Sequence, residues 1–469
     1  MRRSLSLSII ALIAVLSLAS PALAARGSAN FSRYVAIGDS LTGGSEGANP
    51  INLVISHQIH SFPAVIARQA GVVDFQQPLI SEPGILPELV LHSLAPLIIA
   101  PKSSSTGVPI NLMLPRPYDN LGIPGARVTD LLTRTGAEQN VNPFYQIVLR
   151  GLGPAVGQAL ALQPTFITVW VGNNDVLGGV TSGMPSTMTP LAEFEASYET
   201  LLDTLITGAP NAGMVVANVP PIHLIPFANV IPPVLVDPVT RQPILGPDQN
   251  PIFLITHVGD QIVQLTPGSK VLLSAQSFLA TGYGIPAALA PLIPLPNVGQ
   301  PLPDAVTLTA SEVAEISARQ SAVNQVIAAA SAERNIPLLD IVEVFSRIAA
   351  GIEVAGIHFD LSYITGGIMS LDGVHPTDIG YLFLANEFIK VINREYDARI
   401  PFASLTEFFA NNAPPEASFV LLPRFESSQL LEAPWSGFVG PSLLLEPAAE
   451  TTSPPPASSP RRGVRRGGR

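Results

Sequence analysis

Tyr34-Val35-Ala36-Ile37-Gly38-Asp39-Ser40-Leu41-Thr42 is the stretch on which the rest of the reading turns. Tyr34–Ile37 has the apolar, partly β-branched pattern of a buried strand, and it runs straight into a glycine turn that carries a serine. Three further segments read as buried strands: Phe166–Val171, Met214–Val219 and Ile336–Ile341. Helical patterns follow at about Arg127–Thr135, Pro154–Leu162, Leu191–Ile206, Ser311–Arg334 and Thr377–Arg394, the fourth with Ser311 as its expected N-cap. Strands alternating with helices predict an α/β fold with a mainly parallel sheet covered on both faces. In such sheets Ser40 would stand at the carboxyl end of a strand, where sites are built.

Two stretches break the alternation. Residues 43–115 and about 220–305 are dense in Pro, Leu and Ile, as in PPIHLIPFANVIPPVLVDP, and show little periodicity. Apolar loops of this length pack on something or cover something, so they are expected to be either a lid and acyl-binding wall or a structural cap. At the start, Arg2 and Arg3 precede an apolar run from Leu5 to Leu18, then Pro21 and Ala22-Leu23-Ala24. This is the layout of a secretory signal removed after residue 24, and the alternative is an uncleaved anchor. Residues 25–400 are expected to form the main domain, 401–450 an apolar extension packing back on it, and 451–469 a disordered basic tail.

The 469 residues are 47% hydrophobic and 13% charged, enough apolar material for a large core. The absence of cysteine excludes disulfides, thiolate catalysis and thiolate metal sites. Setting aside Arg2, Arg3 and the five arginines of the tail takes the 24 basic residues to 17, against 35 acidic ones. So acidic a body is a poor partner for nucleic acid. The tail could touch anionic surfaces, and no membrane span is expected in the mature chain.

A serine hydroxyl becomes a competent nucleophile near neutral pH only when a base takes its proton. Asp372-Gly373-Val374-His375-Pro376 offers an imidazole with a carboxylate three residues away, close enough on one turn for Asp372 to hold Nδ1 of His375. His57 and His60 share a helical spacing without completing a metal site, and His92, His223, His257 and His358 stand alone. In Asn120-Leu121-Gly122-Ile123-Pro124-Gly125 a glycine would let the backbone approach a substrate. In Gly172-Asn173-Asn174-Asp175 an amide side chain follows the strand ending at Val171.

These blocks together resemble the GDSL/SGNH hydrolase family, whose ordered marks are a Ser in Gly-Asp-Ser, a Gly, an Asn in Gly-x-Asn-Asp, and Asp-x-x-His. The resemblance spans about residues 32–42, 118–220 and 310–400, and leaves the two Pro-rich stretches outside. It implies a three-layer α/β/α, flavodoxin-like fold. It also implies that Ser40 attacks, His375 shuttles the proton and Asp372 orients it. Ser40 and Gly125, through their amides, and Asn174, through its side chain, would form an oxyanion hole. Gly122 is a second candidate for the glycine. No metal or organic cofactor is needed.

The expected function is an exported esterase or lipase acting on small or lipid esters through an acyl-enzyme. Polysaccharide or envelope deacetylation is the second enzyme reading, and a non-catalytic envelope-binding protein is the rival from another class. Only two Trp and eight Tyr are available for stacking on sugars.

Overall fold

In a computed structural model, residues 28–47, 57–94, 97–139, 141–237, 240, 242–354 and 356–412 are described. Five parallel strands form the central sheet: β1 (Tyr34–Gly38), β2 (Asn120–Gly122), β3 (Phe166–Trp170), β4 (Gly213–Ala217) and β5 (Leu338–Leu339). Their order is β2-β1-β3-β4-β5, with Ala36 beside both Asn120 and Thr168. β1 and β3 are buried along their whole length, which is why they read as continuous apolar runs. The chain's order reverses between β1 and β3, the switch point at which an open α/β sheet leaves a crevice.

Helices cover both faces. On one, Phe62 of helix Phe62–Gln69 stacks on Phe388 of helix Asp378–Glu395 at 4.5 Å, and both rings meet Trp170 of β3. On the other, helices Val128–Thr133, Ala155–Ala161, Leu191–Gly208 and Ala310–Glu333 pack together. The expected α/β architecture is the one observed, and among the described residues no helix is long and apolar enough to cross a membrane.

Three local expectations change. Thr309, not Ser311, caps the long helix, because its side chain accepts from the Glu312 amide while the Glu312 carboxylate accepts from the Thr309 amide. β2, three residues long, was hidden inside what reads as a glycine loop. The segments expected to be strands over Met214–Val219 and Ile336–Ile341 end earlier or shrink to two residues.

The Pro-rich stretches are packed structures. In the first, a hairpin of Leu89–Leu94 and Leu97–Pro101 places Leu89 and Ile99 in a small cluster with Ile364 and Leu371. The second has a core of its own, made of Ile231, Leu254, Leu265, Val271, Leu302 and their neighbours. From the C-terminal extension, Leu405 and Phe408 join the main core. Residues 1–24, 413–450 and 451–469, where the signal, the rest of the extension and the tail are expected, lie outside the described residues.

Candidate active site

Ser40 is the first residue of a one-turn helix, Ser40–Gly43, that begins where β1 ends. Asp39 caps that helix: one carboxylate oxygen accepts from the Leu41 amide at 3.1 Å, and the other accepts from Asn173 Nδ2 at 2.8 Å. One side chain therefore ties the serine turn to the end of β3. β2 is tied in as well, through Asn120, whose Nδ2 donates to the Thr42 carbonyl at 2.9 Å. Ser40 is held on three sides by strand ends and is itself nearly buried.

Gly125 follows β2 with φ +82°, and a Cβ there would lie 2.7 Å from Asn142 Nδ2, so both its conformation and its space call for glycine. The amide N–H groups of Ser40 and Gly125 find no acceptor among the described residues. Asn174 is the second residue of the helix after β3, Asn173–Thr181, and donates one Nδ2 hydrogen to the Ala126 carbonyl at 3.0 Å, which leaves its second hydrogen for another acceptor. Asp175 fastens the same two blocks, accepting from the Val128 amide at 3.1 Å and from Thr189 Oγ1 at 2.8 Å. Gly122 is a poor alternative donor: its N–H is already spent on Asn120 Oδ1 at 2.9 Å.

Asp372 and His375 share a tight loop closed by the Ser370 amide donating to the His375 carbonyl at 2.8 Å. Asp372 Oδ2 lies 2.6 Å from His375 Nδ1. Its other oxygen accepts from Ser370 Oγ at 2.8 Å and from the amides of Val374 and His375 at 2.8 and 2.9 Å. A carboxylate so fully engaged has one orientation, and it fixes the imidazole with Nε2 turned away from it. Gly373 takes φ +69° within this loop, and its carbonyl accepts from the Phe227 amide at 2.9 Å. On the opposite flank the Gly47 amide donates to Ser370 Oγ at 3.1 Å, so the chain seven residues beyond Ser40 lies against Asp372.

Burial acts first on every carboxyl here. It pushes Asp39 up to about 7 against the bonds from Asn173 and Leu41, and Asp175 up to about 6 against those from Thr189 and Val128. Burial would also raise Asp372, but the charge of His375 and the bonds it and Val374 donate hold that carboxyl below its ordinary range. Burial would lower His375; the charge and hydrogen bond of Asp372, helped by the charge of Asp39, carry it above the ordinary imidazole value instead. Asp39, the residue next to Ser40, and His375 shift one another's pKa by charge. The chain leaving Ser40 and the loop carrying His375 touch through Gly47 and Ser370, and these segments hold a hydroxyl, an oriented imidazole and N–H donors.

Sequence reasoning missed Asp39, Asn173, Asn120 and Ser370 as parts of this site. Asp39 and Asn173 were in view only as neighbours inside their blocks, and nothing local signals a bond across 134 residues. Of the remaining histidines, His60 lies in a short 3₁₀ turn, His57–His60, edge-on to Phe408, and His358 pairs with Glu353 across a small hairpin at 2.9 Å.

The sequence profile of the GDSL-like Lipase/Acylhydrolase family matches residues 34–388. Comparison with curated proteins gives no match. Among solved structures, the chain is similar to an extracellular lipase from Streptomyces rimosus at 15% identity, covering 77% of this chain and 98% of that one, with a TM-score of 0.32. A catalytic mutant of an acetylxylan esterase from Geobacillus stearothermophilus matches at 14% identity over 78% of this chain and 95% of that one, TM-score 0.32. A lipase/acylhydrolase from Enterococcus faecalis matches at 12% identity over 79% and 98%, TM-score 0.31.

Proposed function

This chain belongs to the GDSL-like lipase and acylhydrolase family, which makes it an ester hydrolase, and on that premise we propose that it is exported and cleaves carboxylic esters through Ser40, His375 and Asp372. The observation that carries the reading is the Asp372–His375 pair at 2.6 Å, on a loop packed against the chain that leaves Ser40. Export is proposed from Arg2, Arg3 and the apolar run Leu5–Leu18 ahead of Ala22-Leu23-Ala24.

In the proposed cycle His375 Nε2 takes the Ser40 proton as the hydroxyl attacks the ester carbonyl. The oxyanion is met by the amides of Ser40 and Gly125 and by the second Nδ2 hydrogen of Asn174, donors with little to reorganise as the charge develops. Asp372 holds the Nδ1 proton and stabilises the imidazolium. That imidazolium then protonates the departing alcohol, and water activated by the same histidine releases the acid from Ser40. A lipase or carboxylesterase of apolar acyl groups is the preferred substrate class, because the first Pro-rich stretch brings apolar side chains to the edge of the site.

Hydrolysis of a p-nitrophenyl ester series from acetate to palmitate by the mature chain, with Ser40→Ala as control, tests the reading. The expected result is a maximum above acetate and loss of turnover in the variant. A maximum at acetate would replace the lipase with a deacetylase. Equal activity in both proteins would remove Ser40 from the mechanism, and none in either would leave a binding protein.

A further inference from the structure

Between Lys270 and Asp304 the second Pro-rich stretch carries no Asp, Glu, Lys, Arg or His, a run of thirty-three residues from Val271 to Pro303. Its middle, residues 285–296, reads IPAALAPLIPLP, and none of these side chains can donate or accept a hydrogen bond. Much of this loop lies at the surface. Ala287, Ala288, Ala290 and Leu292 are exposed, Leu292 at 77%, as are the prolines at 291, 294 and 296. Singly exposed apolar residues are ordinary on a protein, whereas an unbroken run of them marks a surface that meets something.

The backbone of the loop is as self-contained as its side chains. Pro286, Pro291, Pro294 and Pro296 have no N–H, and the amides of Leu289, Ala290, Leu292, Ile293 and Leu295 donate to carbonyls within the loop at 2.9–3.1 Å. Nine of the eleven backbone nitrogens in residues 286–296 therefore ask nothing of water. The ends of the loop are fixed: the Asn297 amide donates to the Thr281 carbonyl at 3.0 Å and the Gly299 amide to the Ile285 carbonyl at 2.8 Å. Leu295 is seated against Gly282, where a Cβ would lie 2.8 Å from it.

We propose that this loop docks the protein on a neutral lipid surface, its apolar residues entering the boundary between headgroups and acyl chains. Three observations choose that occupant. Hydrocarbon penalises every unsatisfied backbone group, and here almost all the N–H groups are already bonded or missing. A protein partner is gripped by aromatic, guanidinium and polar side chains, and residues 285–296 hold none. An anionic surface repels a chain whose 35 acidic residues outnumber its 24 basic ones, and the run from Val271 to Pro303 has no cation to offset this. Adsorption then rests on apolar burial, and it does not depend on Ser40 being the nucleophile.

The test is flotation of the mature chain with vesicles of ether-linked phosphatidylcholine, a lipid with no ester bond to hydrolyse. The wild type is expected to rise with the vesicles equally at about 0.05 and 0.5 M NaCl, because salt screens charge pairs and not apolar burial. Leu292→Asp and Ala288→Asp, both at exposed positions, should each lower the partition coefficient about tenfold or more, since a carboxylate must be dehydrated to enter. Val73→Asp, at an exposed apolar residue of the first Pro-rich stretch, should leave it within about twofold of the wild type, and all three variants should keep the wild-type Tm. A wild type that stays in the soluble fraction overturns the proposal, and so does undiminished flotation of both loop variants. Binding that appears only with added phosphatidylglycerol and is lost at the higher salt assigns adsorption to the basic tail and overturns the loop's role. A dimer that Leu292→Asp dissociates in sedimentation, without vesicle binding, gives the loop to a second copy of the chain instead.

Discussion

The serine end of the site is anchored by strand ends, whereas the acid–base end is carried on a loop held between the two Pro-rich stretches. Around Ser40 the ties are Asp39 to Asn173 and Asn120 to the Thr42 carbonyl, which join the segment leaving β1 to the one leaving β3 and to the first residue of β2. The loop of Asp372 and His375 is gripped instead by Gly47 through Ser370, by Phe227 through Gly373, and by Leu89 and Ile99 packed on Leu371. A rigid sheet edge thus holds the proposed nucleophile and oxyanion donors, and inserted structure determines where the proposed base stands. Such a division lets the insertions vary while the frame persists, and it makes the base the more easily disturbed partner.

The frame side carries the larger of the effects this comparison predicts. Asn174→Ala removes the one proposed side-chain donor of the oxyanion hole and should lower kcat by roughly 10²–10³-fold with KM little changed. Steady-state kinetics on the best p-nitrophenyl ester checks this. A fall of less than threefold would show that Asn174 serves only its bond to the Ala126 carbonyl.

The loop side is probed by Ser370→Ala. The Ser370 hydroxyl donates to Asp372 Oδ1 and accepts from the Gly47 amide, so its loss unlinks the carboxylate from the first Pro-rich stretch. Buried Asp372 and half-buried Gly47 each lose a bond, and a stability loss of about 1–2 kcal/mol is expected from denaturant unfolding. Because Asp372 keeps the Val374 and His375 amides, kcat should fall only about tenfold. If stability drops while kcat stays at the wild-type value, the loop is held without help from the insertion and the comparison between the two ends fails.

Much of the frame was legible because its signals are local. β1 and β3 announce themselves by unbroken apolar runs, and the long helices by periodicity and end signals, which depend on residues a few places apart. The members of the candidate site lie inside those blocks for the same reason: Asp372 and His375 are three residues apart, and Gly125 and Asn174 sit beside strand ends. β2 escaped because three residues carry no period, whereas β5 was expected within Ile336–Ile341 and keeps only two residues of that run. The insertions were legible as apolar and not as packed, since the core of Ile231, Leu254, Val271 and Leu302 joins residues up to 71 places apart whose spacing follows neither helix nor strand. The ties that orient the site, Asp39 to Asn173 and Gly47 to Ser370, join residues 134 and 323 places apart, and each member taken alone reads as a turn residue.

The smallest expected effect concerns the point where the two ends meet. Asp39 belongs to the frame, yet its charge helps raise the pKa of His375 in the loop. Catalysis requires neutral His375, so activity should fall as pH drops through a value above the ordinary imidazole range. Asp39→Asn removes that charge where Asp39 is ionised, from about pH 7 upward, and should move the upper part of the acid limb to lower pH, read as a higher ratio of kcat/KM at pH 7 to that at pH 9. The bond to Asn173 need not be lost, because Asn173 Oδ1 has no partner among the described residues and a rotated amide could accept from the new side chain. Stability supplies a second reading of the same substitution. With its folded pKa at about 7 against 3.8 when free, Asp39 keeps a proton in the folded state that the unfolded chain gives up, so its contribution to stability falls as pH rises from about 4 through about 7. The variant should lose that part of the decline, and its Tm should change less between pH 5 and pH 8 than that of the wild type. An unmoved acid limb together with a flattened stability profile would separate the two ends electrostatically and leave Asp39 as a cap for the Ser40 helix alone.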